Sequence, residues 1–244
     1  MSTIKWTFIG NGHLEEGVTT MKILLGDKAN IIIRVMMSQP DRKWVARDFE
    51  KEFGVGRARA AAVLSALRVK GFVGGIRSGR LAHSVLQNKE ELLEEWLKVY
   101  KFELNEAHLY YSAREDILSR LKEYFAAKNE SKKYALTLHT GANFITHYVN
   151  TPTIYCYLSA EKFKNASLDL RQSLDLKELK KGGNIYLIKP YYKNTVFFNT
   201  QTIKDYNVVS DLQLYLDLYH FPQRGRDHAE YLLKTLKEEG KNIV

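Results

Sequence analysis

The sequence has one cysteine, Cys156, so an intrachain disulfide is excluded, as suits a reducing compartment. Cys156 lies in the apolar run Thr153-Ile154-Tyr155-Cys156-Tyr157-Leu158, where a thiol is expected to pack as a small hydrophobe. No apolar run reaches the ~20 residues of a spanning helix, and the first residues lack the signature of a secretory leader. A cytoplasmic protein with no membrane partner is the expectation. The most telling scarcity is local. From Phe53 to Arg80 there is no aspartate or glutamate, whereas Arg57, Arg59, Arg68, Lys70, Arg77 and Arg80 are all basic.

The chain has 244 residues with 45% hydrophobic and 12% aromatic content, enough for two packed domains and against global disorder. Its net charge is +9, and the charge is unevenly placed. Arg34 to Arg80 holds eleven basic and four acidic residues, while the rest holds 26 and 24. A surface that serves only solubility usually mixes signs, so this concentration points to a polyanion.

The pattern around the basic segment predicts three helices and a β-ribbon. Ile31 to Met37 reads as a helix stopped by Pro40, and Val45, Phe49 and Phe53 recur as in a second helix. Gly54-Val55-Gly56 is a tight turn. A third helix runs from about Arg57 to Lys70, with Ala60, Val63, Leu64 and Leu67 inside and Gly71 at its end. Phe72-Val73 opens a ribbon that closes near Leu86. This is the order of a winged helix-turn-helix, which gives an α+β protein with that unit at the N-terminus and a mixed α/β domain behind it. Trp6, Phe8 and Ile9 suggest a short strand or docking arm, followed by a turn at Gly10-Asn11-Gly12.

On a helical wheel the third helix presents Ala58, Ala62, Ser65 and Val69 opposite its core face. Arg57 and Arg68 flank this stripe on one side, Arg59 and Lys70 on the other, each pair spanning about 16 Å. Such a face suits the major groove of duplex DNA: the cations meet phosphates, Ser65 reaches a base edge, and Ala58 or Ala62 touches thymine methyls. Arg77 and Arg80 fall at the wing tip. The alternative is a solvated basic face used for protein contacts.

Asn88 or a near neighbour is expected to cap a helix carrying Leu92, Leu93, Trp96 and Leu97, and the expected domain boundary is Tyr100 to Ala107. The expected domains are thus 1–100 and 101–244. In the second, Ile117, Leu118, Leu121 and Phe125 mark a helix, and Tyr134 to Leu138, Ile154 to Leu158 and Ile185 to Ile188 mark strands. Ser210 and Gln213 form a capping box before a helix with Leu212, Tyr215, Leu216 and Tyr219, and a last helix follows Arg224-Gly225-Arg226.

Catalytic and cofactor signals are weak. His139 and His147 could share a helical face but have no third ligand nearby. Asp205, Asp211, Asp217 and Asp227 form only a loose series. Gly182-Gly183 lacks phosphate-loop spacing, and Arg224-Gly225-Arg226 reads as a chain turn more readily than an anion site. The tyrosines should fill core and rim positions or form a stacking platform for nucleotides. No enzyme, metal or cofactor is expected. A nuclease-like enzyme and a ligand-sensing regulator are the competing classes; the first requires convergent carboxylates and a lysine, the second a deep pocket.

From Asn30 onward the chain resembles the AbiE-type antitoxin and transcriptional-regulator family of type IV toxin–antitoxin, or abortive-infection, systems. The resemblance rests on Gly56-Arg57-Ala58-Arg59 with Leu64 to Val73, on Tyr134-Ala135-Leu136-Thr137 with Gly141-Ala142, and on Val208 to Leu218 with Arg224-Gly225-Arg226 and Ala229-Glu230. Leu138-His139-Thr140 stands where a stretch rich in glycine and small residues is expected. The resemblance implies a repressor that binds repeated operator sites in its own promoter. It also implies an antitoxin domain opposing a toxin that resembles a nucleotidyltransferase, leaving open whether the two proteins touch.

Overall fold

A computed structural model describes residues 26–130, 133–241 and 243, which form two compact units meeting in sequence between Tyr100 and Lys101. The N-terminal arm and turn expected around Trp6 to Gly12 lie outside the described residues.

The first unit contains α1 (Asp27–Ser38), α2 (Ala46–Phe53), α3 (Arg57–Val69), β1 (Val73–Gly74), β2 (Val85–Leu86) and α4 (Lys89–Val99). Helix α2 starts where the Asp48 carboxylate accepts from the Val45 backbone N–H. It ends at Gly54, whose φ of 66° turns the chain at little steric cost and lets Val55 N–H reach the Phe49 carbonyl. Gly71 ends α3 in the same way. The four residues expected inside α3, namely Ala60, Val63, Leu64 and Leu67, are the ones it buries.

Strands β1 and β2 pair antiparallel, Val73 with Leu86 and Gly74 with Val85, and Trp44 adds a bridge to Ser84. Trp44 is fully buried and stacks on Phe49, fastening the ribbon base to α2. Arg34, counted by sequence with the basic surface, is instead in the core. Its Nε donates to Asn30 Oδ1 at 2.5 Å, and its guanidinium lies 5.1 Å from the Trp96 ring of α4.

The second unit is built on a seven-stranded mixed sheet in the order β6-β3-β7-β5-β4-β9-β8. The strands are β3 (Glu106–Tyr111), β4 (Tyr134–Leu136), β5 (Ile154–Leu158), β6 (Lys177–Glu178), β7 (Ile185–Lys189), β8 (Gln201–Ile203) and β9 (Tyr206–Val208). The helices are α5 (Ile117–Ala127), α6 (Leu138–Ala142), α7 (Phe163–Ser173), α8 (Asp211–Tyr219) and α9 (Gly225–Glu238). The central strand β5 runs parallel to β7 and antiparallel to β4, and every one of its residues is buried. Burial on both faces replaces alternation with a continuous apolar run.

Successive β5 side chains serve opposite layers. Tyr155 meets Phe221 just beyond α8, and Tyr157 reaches Asp217 of α8. On the other face, Phe125 of α5 stacks on Tyr134 and Phe163 of α7 packs against His108. The first expected strand is shorter than its apolar pattern: it stops at Leu136, and Leu138, at φ 48°, already begins α6.

Asp217 joins these layers. It is fully buried and accepts from Thr137 Oγ1 at 2.5 Å, the Tyr157 hydroxyl at 3.1 and 3.2 Å, and Gln213 Nε2 at 2.7 Å. The capping box is therefore only half formed. Ser210 Oγ accepts from Gln213 N–H, but the Gln213 side chain turns inward to Asp217 instead of back to the cap. Gly141 and Gly225 have steric reasons. A side chain on Gly141 would meet the Leu136 carbonyl and Leu214, and one on Gly225 would meet the Leu218 carbonyl at 2.5 Å.

Removing Asp217 leaves several buried donors unsatisfied. Asp217→Ala should destabilise the protein by about 3–5 kcal/mol in urea unfolding, Asp217→Asn by less, and the exposed Asp227→Ala by under about 0.5 kcal/mol. Equal losses for Asp217→Ala and Asp227→Ala would remove the buried carboxylate from this role.

Candidate functional site

The outward face of α3 carries Arg57, Ala58, Arg59, Ala61, Ala62, Ser65 and Val69, all exposed, with Val69 at 83%. The cations expected to form two rails have different surroundings. Arg57 is ion-paired through Nε with Glu50 of α2. Arg59 is exposed and has no carboxylate partner among the described residues. With Lys28, Glu50, Arg57, Ala58 and Ala62 it lines a shallow depression. Lys28 was missed by the sequence reading, which began its basic segment at Arg34.

Arg68 turns to the ribbon. Its Nη2 donates to Ser84 Oγ at 2.7 Å and approaches the Gly74 and His83 carbonyls at 3.5 Å, tying the two strands to α3. Lys70 caps α3 and faces a groove with Phe72, Glu91, Glu94 and Glu95. Arg77 and Arg80 are exposed at the ribbon tip, beside the turn at Gly79 (φ 89°) and the 74%-exposed Leu81. Arg59 on α3 and Arg77 and Arg80 on the ribbon are thus exposed and have no ion-pair partner among the described residues.

In the second unit the two histidines expected to share a helix face are separated, because α6 ends at Ala142 and His147 follows in a loop at φ 52°. The partner of His139 is His228 of α9. Their rings are nearly parallel, with 6° between planes and 5.1 Å between centroids, and meet through Nδ1 atoms 2.8 Å apart. The tautomers follow from the neighbours. Only a protonated His139 Nε2 can donate to the Gln223 carbonyl at 3.1 Å. In the neutral pair His139 Nδ1 then accepts from His228 Nδ1–H, and the Thr146 hydroxyl, which also lies 3.1 Å from the Ala142 carbonyl, turns its one hydrogen to His228 Nε2 at 2.7 Å. Every ring nitrogen is used without a net charge.

Burial pushes the His228 pKa down to about 4, with His139 and the Arg224 cation acting in the same sense. Burial also lowers that of His139, against the raising effect of the Gln223 carbonyl.

The remaining chemical candidates are separately engaged. Asp211 accepts from Gln201 Nε2 at 2.6 Å, and burial raises its pKa. Asp227 faces Arg224 at 3.7 Å, and Asp205 sits in the β8–β9 turn. Arg224 lies over the Tyr148 ring, while Arg226 pairs with Glu230 and lies over Tyr219, so both arginines of the expected turn have protein partners. Cys156 is buried, and burial pushes its thiol pKa up, away from thiolate chemistry. Among the described residues no three His, Cys, Asp or Glu side chains are grouped to hold a metal ion, and no helix is long and apolar enough to cross a membrane.

A family model described as "Transcriptional regulator, AbiEi antitoxin, Type IV TA system" matches residues 85–237, well over half of the chain. The match takes in β2, α4 and the second unit through nearly all of α9. The chain belongs to this family of antitoxins and transcriptional regulators of type IV toxin–antitoxin systems, and membership implies a toxin partner. Searches of curated proteins and of solved structures return no significant match.

The neutral histidine pair predicts an acid-sensitive fold. Because the His228 pKa lies below its unfolded value near 6.5, its contribution is complete above that pH and is lost as pH falls towards 4. Between pH 7 and pH 5 the loss should be about 2 kcal/mol in urea unfolding. His228→Asn should start less stable and show a correspondingly smaller loss over the same interval; an unchanged pH dependence in that variant would contradict the assignment.

Proposed function

We propose that the chain is a DNA-binding autorepressor and antitoxin acting in the cytoplasm, with 1–100 a winged helix-turn-helix domain and 101–244 the antitoxin-type domain. The order α1, α2, a three-residue turn, α3 and the β1–β2 ribbon supports the winged-helix reading. The single observation that carries it is the outward face of α3. It presents alanines and Ser65 beside Arg59, within 28 residues free of carboxylates, and the ribbon adds Arg77 and Arg80.

In this reading α3 enters the major groove. Arg59 meets phosphate, Ser65 donates to or accepts from a base edge, and Ala58 and Ala62 allow close approach. Arg77 and Arg80 lie along the adjacent backbone or minor groove. Arg57 stays paired with Glu50 until phosphate competes for it, and Arg68 contributes by holding the wing. Sparse long polar side chains on the stripe favour specificity through DNA shape as well as base contacts. The duplex partner is operator repeats in the chain's own promoter. The toxin partner resembles a nucleotidyltransferase, and we propose no catalytic role for this chain, since Asp211, Asp217 and Asp227 serve separate structural contacts.

Arg59→Ala, Arg77→Ala and Arg80→Ala combined should weaken binding to promoter duplex about 100-fold or more at low salt and flatten the log-affinity against log-salt slope by about 3. Gel retardation over a salt series measures both. Wild-type affinity in the triple variant would move the interface elsewhere.

A further inference from the structure

A cleft of about 630 Å³ opens in the second unit where β3 ends and β5 and β7 begin. We propose that it binds a small phosphorylated molecule with a flat ring, of the nucleoside monophosphate class. Its volume suits such a ligand. Its lining is divided: Ile117, Leu118, Phe144, Pro152 and Ile154 are apolar, while Arg114, His147 and Lys204 supply basic groups against one carboxylate, Glu115. No ion pair engages Arg114, His147 or Lys204 among the described residues, in contrast to Arg224 and Arg226 nearby in sequence to α9.

The walls are fixed before any ligand arrives. Asn184 straps Ser112 from both sides, accepting its N–H at 3.0 Å and donating to its carbonyl at 2.8 Å. Asn143 does the same to Val149, donating to its carbonyl at 2.5 Å and accepting its N–H at 3.4 Å. Thr140 Oγ1 accepts from Tyr155 N–H and donates to the Thr153 carbonyl. Three separate chain segments are thus clamped around the opening, a preorganised arrangement that lowers the entropic cost of binding.

Two cleft residues are held in the left-handed region. His147 has φ 52°, and Lys204 has φ 49° in a two-residue turn with Asp205 at φ 64°. Non-glycine residues in that region cost about 1 kcal/mol or more each, and such conformations concentrate at ligand sites. Because the asparagine and threonine side chains are consumed by the straps, recognition falls to the basic groups and the apolar floor. Phosphate is then required, a ring adds affinity through Phe144 and Pro152, and the identity of the base matters little.

Isothermal titration of the full chain with AMP, CMP, adenosine and inorganic phosphate tests this. The expected result is saturable AMP and CMP binding within about fivefold of each other, with adenosine and phosphate each at least tenfold weaker. Arg114→Ala and Lys204→Gly should each weaken AMP binding about tenfold; the glycine suits the turn conformation, so folding is preserved. Arg59→Ala, on α3, should leave it unchanged, separating this cleft from the proposed DNA interface. No saturable nucleotide binding overturns the proposal, as does binding insensitive to Arg114→Ala and Lys204→Gly. Phosphate binding as tightly as AMP overturns the ring half of it.

Discussion

The second unit depends on one buried carboxylate being fully used. Asp217 receives hydrogen bonds from the β4–α6 junction, from the central strand β5 and from its own helix α8. A carboxylate away from water costs several kcal/mol unless its lone pairs are occupied, so these partners must hold their places together. Their alignment fixes α8 over one sheet face and seats α6 close enough that Gly141 cannot carry a side chain. The chain then turns at Arg224, in the left-handed conformation, and Gly225 lets α9 return against the end of α8. His228 on α9 is thereby delivered to His139 on α6. The histidine pair and the Arg224-Gly225-Arg226 turn are consequences of the same constraint.

The first unit rests on a different device. Its helices meet over Ile32, Ile33, Phe49, Leu64, Leu67 and Trp96, while the ribbon is too short to hold itself. Two paired residues per strand are far below what an isolated hairpin needs in water. Trp44 and Arg68 supply the missing support, one by stacking on Phe49 and bridging Ser84, the other by hydrogen-bonding the ribbon from α3. A basic side chain in a cationic segment can thus be structural, and charge counting alone does not separate Arg68 from Arg59.

What could be read from sequence follows from the range of each signal. The inner face of α3 was legible because apolar spacing reports one helix against its own core. The strand at Ile154–Leu158 was legible as a short apolar run between turns. Strand β3 was not, because Glu106-Ala107-His108 interrupts such a run and falls where a domain boundary was sought. Helix α7 buries few side chains, so its periodicity is faint. The β8–β9 hairpin turns on Lys204-Asp205, without the glycine that marks two-residue turns. On the site side, the exposed stripe of Ala58, Ala62 and Ser65 was visible from one wheel. The Glu50 partner of Arg57, the Ser84 partner of Arg68 and the pairing of His139 with His228, 89 positions away, are tertiary and leave no trace in local spacing.

The central claim is that duplex DNA is held by α3 and the ribbon. Hydrogen–deuterium exchange of the full chain with and without its promoter duplex tests this most directly, since it reports which backbone segments DNA covers. The account predicts new protection across residues 56–70 and 74–83, and none of comparable size in the sheet of the second unit. Protection confined to residues 101–241, with the α3 and ribbon segments unchanged, would contradict it.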